Sequence, residues 1–187
     1  MQRVADDDEQ ALAALVAALG PALLGFARRS LGTSGHEAED VVQETFVRLW
    51  RARHRWQPTA TVQTYLFTIA GRLCLNRHRG WRRRPPGLPL VDDEGVSRPI
   101  PDPRPDPERL AASAQLRDAM TRELRALPAN QRTALLLKLV GGLRYDEIAV
   151  ALDTTAAAVE SLLSRARARL RPNLAPFAGE GKPPSRG

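Results

Sequence analysis

YDEIAVALDTTAAAVESLLSRARARL, residues 145 to 170, is the stretch on which the fold turns. Ile148, Ala149, Leu152, Val159 and Leu162 fall where a helix-turn-helix needs small or apolar side chains. Ala149 lets two short helices cross closely, and Val159, ten residues on, takes the buried position of the second. Asp153 stands in the turn that most often holds glycine, and aspartate tolerates a left-handed backbone better than most side chains. The spacing predicts helices over Tyr145 to Leu152 and Ala156 to Leu170, with Thr155 or Thr154 as N-cap and Pro172 as a stop. An ordinary helical hairpin is the plainer alternative. A helix-turn-helix would present Thr154, Thr155, Ala157, Glu160, Ser161 and Ser164 near the start of its second helix, where base edges are read. Arg165, Arg167, Arg169 and Arg171 follow, placed either for phosphates or as a solvated basic helix end.

Upstream, a helix is expected over Leu110 to Leu127. Pro128 then opens another that carries the apolar run Ala134 to Val140 and stops at Gly141-Gly142. Before these lies the clearest boundary in the chain. From Pro85 to Pro107, eight of 23 residues are proline, with Asp92, Asp93, Glu94, Asp102 and Asp106 among the rest. Such a segment makes neither helix nor central strand. Extended at about 3.1 Å per residue, it could hold its ends roughly 70 Å apart.

On its N-terminal side the apolar spacing is again helical. Leu12, Leu15, Val16, Leu19 and Leu23 share a face, with Gly20-Pro21 either breaking this helix or starting a second. From Glu37 to Arg53, Ala38, Val41, Val42, Thr45 and Leu49 form a buried stripe, while Asp40, Gln43, Glu44 and Arg48 stay accessible. A third run, Val62 to Gly80, turns Val62, Tyr65, Leu66, Ile69 and Leu73 inward. No strand pattern and no internal repeat occurs. The expectation is an all-α chain of two small helical domains, residues 1–84 and 108–174, joined by an extended proline-rich linker (85–107) and followed by a disordered tail (175–187).

The formal charge of +7 and a pI near 10.8 point to a polyanionic partner. Of 28 basic residues only Lys138 and Lys182 are lysine, and a codon bias accounts for much of that, so the placement of the arginines matters more than their number. On the third helix Arg72, Asn76 and Arg79 recur opposite the Leu66, Ile69 and Leu73 stripe, and Arg77, His78, Trp81, Arg82, Arg83 and Arg84 extend the basic run. With Trp56, Tyr65 and Phe67 upstream, this suits DNA with unpaired bases, although a charge run is often only solvated surface. Glu37, Glu39, Asp40, Gln43 and Glu44 make an acidic helix with Phe46 and Trp50, which in so basic a chain suggests a protein partner. The lone cysteine, Cys74, excludes an internal disulfide framework and a cysteine-rich zinc site. His36, His54 and His78 are scattered, and there is no nucleophile elbow or phosphate-cradling loop, so no catalytic residue, metal site or cofactor is expected. The acidic start is unlike a signal peptide and no apolar stretch of about 18 residues is evident, so membrane insertion is not expected and a cytoplasmic location is.

Ala38-Glu39-Asp40-Val41-Val42-Gln43-Glu44-Thr45-Phe46, followed by Val47-Arg48-Leu49-Trp50, closely resembles the polymerase-binding helix of bacterial sigma factors. Tyr65-Leu66-Phe67-Thr68-Ile69-Ala70 resembles the start of the family's promoter-melting and minus-10 helix. Leu127-Pro128, Gln131-Arg132, Glu147-Ile148-Ala149 and Ser164-Arg165-Ala166-Arg167 resemble its fourth region, whose helix-turn-helix reads the minus-35 element. The resemblance spans about residues 8 to 174, and a second and fourth region without a first or third marks the extracytoplasmic-function group.

It implies that Asp40, Gln43, Glu44 and Arg48, with Phe46 and Leu49 packing partly beneath, dock on the coiled coil of the largest polymerase subunit, with a further contact to the polymerase flap. It implies minus-10 contacts by Trp56, Thr61, Tyr65, Arg72, Asn76, Arg77 and Arg79, the segment His54 to Gln63 capturing a flipped base. The minus-35 set would be Tyr145, Thr154, Thr155, Ala157, Glu160, Ser161, Ser164, Arg165 and Arg167. Promoter DNA, RNA polymerase core and an anti-sigma protein are the partners so implied. Two positions depart from the family. Glu160 and Leu162 stand where many members carry lysine and arginine, which weakens phosphate contact or changes the element read, and Gly71 stands where a helix former is usual. A stand-alone helix-turn-helix regulator accounts equally well for the C-terminal half but leaves the acidic and aromatic helices unexplained. A protein-interaction module without DNA binding has Glu160 as its best support.

Overall fold

In the computed structural model, residues 1–33, 35–55, 57, 59–83 and 107–175 are described, and they form helices with no strand. In order these are α1 (Gln2–Ala5), α2 (Glu9–Leu31), α3 (His36–Ala52), a 3-10 turn (Arg53–Arg55), α4 (Val62–Arg83), α5 (Pro107–Ala126), α6 (Ala129–Leu139), α7 (Tyr145–Leu152) and α8 (Ala156–Leu174). The all-α expectation holds. Most of the proline-rich linker, 85–106, and the tail, 176–187, lie outside the described residues.

Most boundaries have a local cause. Asp8 caps α2 by accepting from the Ala11 amide at 2.9 Å. Thr61 does the same for α4 through Thr64, and Thr155 for α8 through Ala158. Asp153 takes the left-handed turn with φ 53°, and its own amide and that of Thr154 both return to the Ala149 carbonyl, ending α7. Pro128 sits just before α6 as its N-cap instead of at the first helical position.

Two prolines do not break helices as expected. α2 continues through Pro21 and α8 through Pro172, because each ring costs one backbone hydrogen bond that the rest of a 23- or 19-residue helix outlasts, and Pro21 faces solvent. α4 runs on past Gly80 to Arg83, and α5 begins at Pro107, three residues before the expected Leu110. Contrary to the expectation of no long apolar stretch, α2 is long and apolar enough by composition to cross a membrane, with mean hydropathy 1.8. Leu23, Phe26, Ala27 and Leu31 of its C-terminal half enter the protein core.

The buried stripe of α4 is wider than the spacing predicts: Leu66, Phe67, Ala70, Leu73, Cys74 and Leu75 are inside, while Val62, Tyr65 and Ile69 are half-buried. Val42 of α3 is likewise only half-buried, and Thr45 is buried because its hydroxyl donates to the Val41 carbonyl at 2.7 Å. The extra width has one cause. α4 packs on α2 and α3 on one side and on α6 and α7 on the other, so the two halves of the chain share a core. Phe26 meets Phe67 edge to face, centroids 5.4 Å apart. α6 is the central helix, with every residue from Gln131 to Leu137 buried, as its nearly continuous apolar run requires. Gly71 and Gly141 permit the close approach between halves. A Cβ on Gly71 would sit 3.3 Å from Leu137, and one on Gly141 only 3.1 Å from Phe67. Gly71 is therefore a packing residue, which explains why a better helix former is absent there.

Candidate functional site

Three faces carry the residues singled out by the sequence. The first is on α8 and the turn before it. Thr154, Thr155, Ala157, Glu160, Ser161, Ser164, Arg165 and Arg167 are all exposed, because Val159, Leu163, Ala166 and Leu170 hold the opposite side of the helix in the core. Tyr145, at the start of α7, is half-exposed beneath the Lys138 ammonium, 5.5 Å from its ring centroid. Leu162, half-buried, leans on the core instead of reaching outward. The result is one open surface of hydroxyls followed by arginines, with the Glu160 carboxylate among them.

The second face runs along α4. Arg72, Asn76 and Arg79 line up on one exposed edge, as predicted, but they look across a cleft of about 350 Å³ at Ala151, Leu152 and Asp153. Arg72 donates to the Val150 carbonyl at 2.7 Å. Arg77 is placed differently. It is half-buried against α3, donating to the Glu37 carbonyl at 2.9 Å and lying 3.6 Å from the Asp40 carboxylate, so its charge is already engaged. Near the start of α4, half-buried Tyr65 lines a separate hollow of about 420 Å³ with Arg55, Gln57, Thr59 and Ala60. Exposed Thr61 serves as helix cap beside it. Trp56 lies outside the described residues.

The third face is on α3. Asp40, Gln43 and Arg48 are exposed and Glu44 half-exposed, while Phe46 and Leu49 are buried beneath them. Arg48 donates to Glu44 at 2.7 Å one turn away, and that hydrogen bond holds the Glu44 carboxyl below its ordinary range. Beside this face α2 and α3 leave an apolar groove of about 600 Å³ floored by Leu12, Val16, Phe46, Val47 and Trp50, with Gln43 on its rim. Arg53 stacks on the Trp50 ring at 4.0 Å and pairs with Asp7. The groove escaped sequence reasoning because its walls come from two helices, and Val16, read as part of one apolar face of α2, is exposed in it.

Also missed was the polar cluster at the join of the halves. Arg132, His78, Ser30 and Thr133 meet there, two of them separated by more than a hundred residues. Cys74 lies close to Ser30, and burial pushes its thiol up to about 11, far from a reactive value. Among the described residues no group of three histidine, cysteine or acidic side chains could hold a metal ion.

Comparison with known proteins matches two separate stretches. Residues 15–84 match Sigma-70 region 2 and residues 117–170 match Sigma-70, region 4, together about two-thirds of the chain. The chain is 36% identical over 166 residues to the ECF RNA polymerase sigma factor SigG of Mycobacterium tuberculosis (strain ATCC 25618 / H37Rv), covering 80% of this chain and 45% of that protein. It is thus similar to somewhat less than half the length of that relative. To the ECF RNA polymerase sigma-E factor of Escherichia coli (strain K12) it is 29% identical over 174 residues, covering 89% of this chain and 88% of the other. Two solved structures are similar over nearly the whole chain. CnrH in complex with the cytosolic domain of CnrY has TM-score 0.61 and 28% identity, covering 95% of this chain and 96% of that one. The sigma factor RpoE in complex with the anti-sigma factor NepR, from Bartonella quintana, has TM-score 0.63 and 27% identity, covering 90% and 97%.

Proposed function

The chain belongs to the extracytoplasmic-function sigma factors, a family of transcription initiation factors, and from that premise we propose that it carries RNA polymerase core to promoters without chemistry of its own. The observation that carries this reading is the presence in one chain of an exposed acidic face on α3 and an exposed hydroxyl-and-arginine face on α8. A stand-alone DNA-binding regulator has use for the second and none for the first. Asp40, Gln43, Glu44 and Arg48 engage the polymerase coiled coil, with the apolar groove beside Gln43 extending that contact. The α8 face reads the minus-35 element, its hydroxyls at base edges and Arg165 and Arg167 on phosphates. Arg72, Asn76 and Arg79 follow the minus-10 strand, and the hollow beside Tyr65 receives an unstacked base. Binding of such bases offsets the few kcal/mol per step that unstacking costs, so melting needs no nucleotide hydrolysis. The functional units are residues 1–84 and 108–174, and an anti-sigma protein holds the factor inactive on the cytoplasmic side.

Run-off transcription by purified core polymerase on the promoter upstream of the gene tests this directly. A discrete start that requires the chain, and that falls about tenfold or more with Asp40→Ala and Gln43→Ala combined, is the expected result. Absence of core binding together with tight duplex binding would shift the assignment to a stand-alone regulator.

A further inference from the structure

We propose that the hollow between the C-terminal ends of α2 and α5 is a binding site for a diphosphate-bearing ligand. It shares no residue with the polymerase- and promoter-facing surfaces, so the site stands apart from that reading.

The hollow encloses about 400 Å³ and is lined by three arginines, Arg28 and Arg29 from α2 and Arg125 from α5, with no carboxylate among its lining residues. Like charges gathered from two helices repel. Burial lowers the pKa of Arg132, just behind Gly32, and the Arg125 charge lowers it further. No ion pair or side-chain hydrogen bond engages Arg29 or Arg125 among the described residues. Arg28 reaches Glu39 only at 3.5 Å, and its Nε is buried with no acceptor. A buried guanidinium donor without a partner is a deficit that an anion oxygen beside Arg28 would remove.

Helix C-termini ordinarily repel anions through their free carbonyls. Here Arg132, buried in α6, takes those acceptors out of play. It donates from Nε to the Ser30 carbonyl at 2.8 Å, and from one terminal nitrogen to the carbonyls of Arg125 at 3.1 Å and Leu124 at 3.4 Å, so one guanidinium joins the ends of α2 and α5. Thr33, on the hollow's wall, accepts from the Gly35 amide at 3.2 Å and keeps its own O–H to donate. Gly25 makes room for the third arginine. A Cβ there would sit 2.9 Å from a terminal nitrogen of Arg29, so glycine lets that guanidinium lie back against α2.

Charge and size choose the ligand. Three guanidiniums suit a diphosphate, whose linked phosphoryl groups offer oxygens to more than one fork, whereas a single carboxylate would engage one arginine and leave the other two unneutralised. Pro21, Leu24 and Leu124 give the hollow an apolar wall on which a nucleoside can pack. Its volume falls within the range of about 300–1,000 Å³ that small-ligand sites occupy.

Calorimetric titration of the full chain with pyrophosphate at low salt tests the site. One-to-one binding at least about tenfold tighter than that of sulfate is expected. Arg29→Gln combined with Arg125→Gln should weaken it about tenfold or more, whereas Arg165→Gln with Arg167→Gln, which removes the same charge from α8, should change it by less than about twofold. Gly25→Ala should weaken binding by displacing the Arg29 guanidinium while leaving the thermal midpoint unchanged or raised, since alanine is the better helix former. Adenosine and guanosine diphosphates distinguish the sources. Tighter binding than pyrophosphate assigns the apolar wall to a nucleoside, and equal or weaker binding assigns the site to free diphosphate. Absence of saturable binding by pyrophosphate and both nucleotides, pyrophosphate affinity no better than that of sulfate, or an equal loss in the α8 variant would overturn the proposal.

Discussion

The α4 and α8 faces are made of similar side chains, arginines interleaved with small polar residues, and differ in what lies across from them. On α8, Arg165 and Arg167 extend into solvent with no ion pair among the described residues. On α4, Arg72 is held by a carbonyl of the opposite half and Arg77 by the backbone and carboxylate of α3. The arginines of one surface are open to solvent; those of the other would have to release contacts they already make before pairing elsewhere. Equal charge on two helices therefore does not mean equal availability, because an arginine already donating to a backbone carbonyl has to be exchanged, not merely recruited.

The largest effect is expected where the difference originates, at the shared core. Phe67→Ala removes the side chain that touches both Phe26 and the Gly141 turn, and should cost about 3–5 kcal/mol in urea unfolding. If the halves are coupled, probes in α3 and α8 lose stability together, whereas a loss confined to the α1–α4 half would break the comparison at its base. A middling effect is expected on the open face. Arg165→Ala with Arg167→Ala should lower the slope of log affinity against log salt for duplex DNA by about 2, alike for all sequences. The same double variant should leave binding to a melted bubble through α4 largely intact, which sharpens the division of labour.

The smallest effect is expected from pH. Burial lowers the His78 pKa below its ordinary 6.5, with Arg132 adding repulsion and Glu37 and the Ser30 carbonyl opposing the shift. A base whose pKa is depressed in the packed form contributes stability above about 6.5 and loses it as the pH falls through the lowered value. Thermal midpoints should therefore decline modestly on acidification below that point, and His78→Gln should flatten the decline.

Much of this was legible in sequence because it is local. Asp153 at the turn, Thr155 as cap and the inward Ile148, Ala149, Leu152 and Val159 follow from short-range backbone and periodicity rules, and the structure bears them out, whereas Leu162 is only half-buried and Leu163, Ala166 and Leu170 complete the buried side of α8. The exposed α3 and α8 faces were legible for the same reason, being the complements of buried stripes. Where two helices cooperate, sequence reasoning ran short. The widened stripe of α4, the groove beside Gln43 and the engagement of Arg77 all depend on which neighbour packs on the second side, and no period within one helix carries that information.

By itself, then, the chain of residues determined helix positions, the helix-turn-helix and the two families of exposed side chains, because each is settled within a few turns of backbone. Tertiary structure alone decided that α4 is flanked on two sides, that Gly71 and Gly141 are spacers and that Arg132 joins two helix ends. These are contacts between residues up to 103 positions apart, chosen by the burial of a common core and not by any local preference.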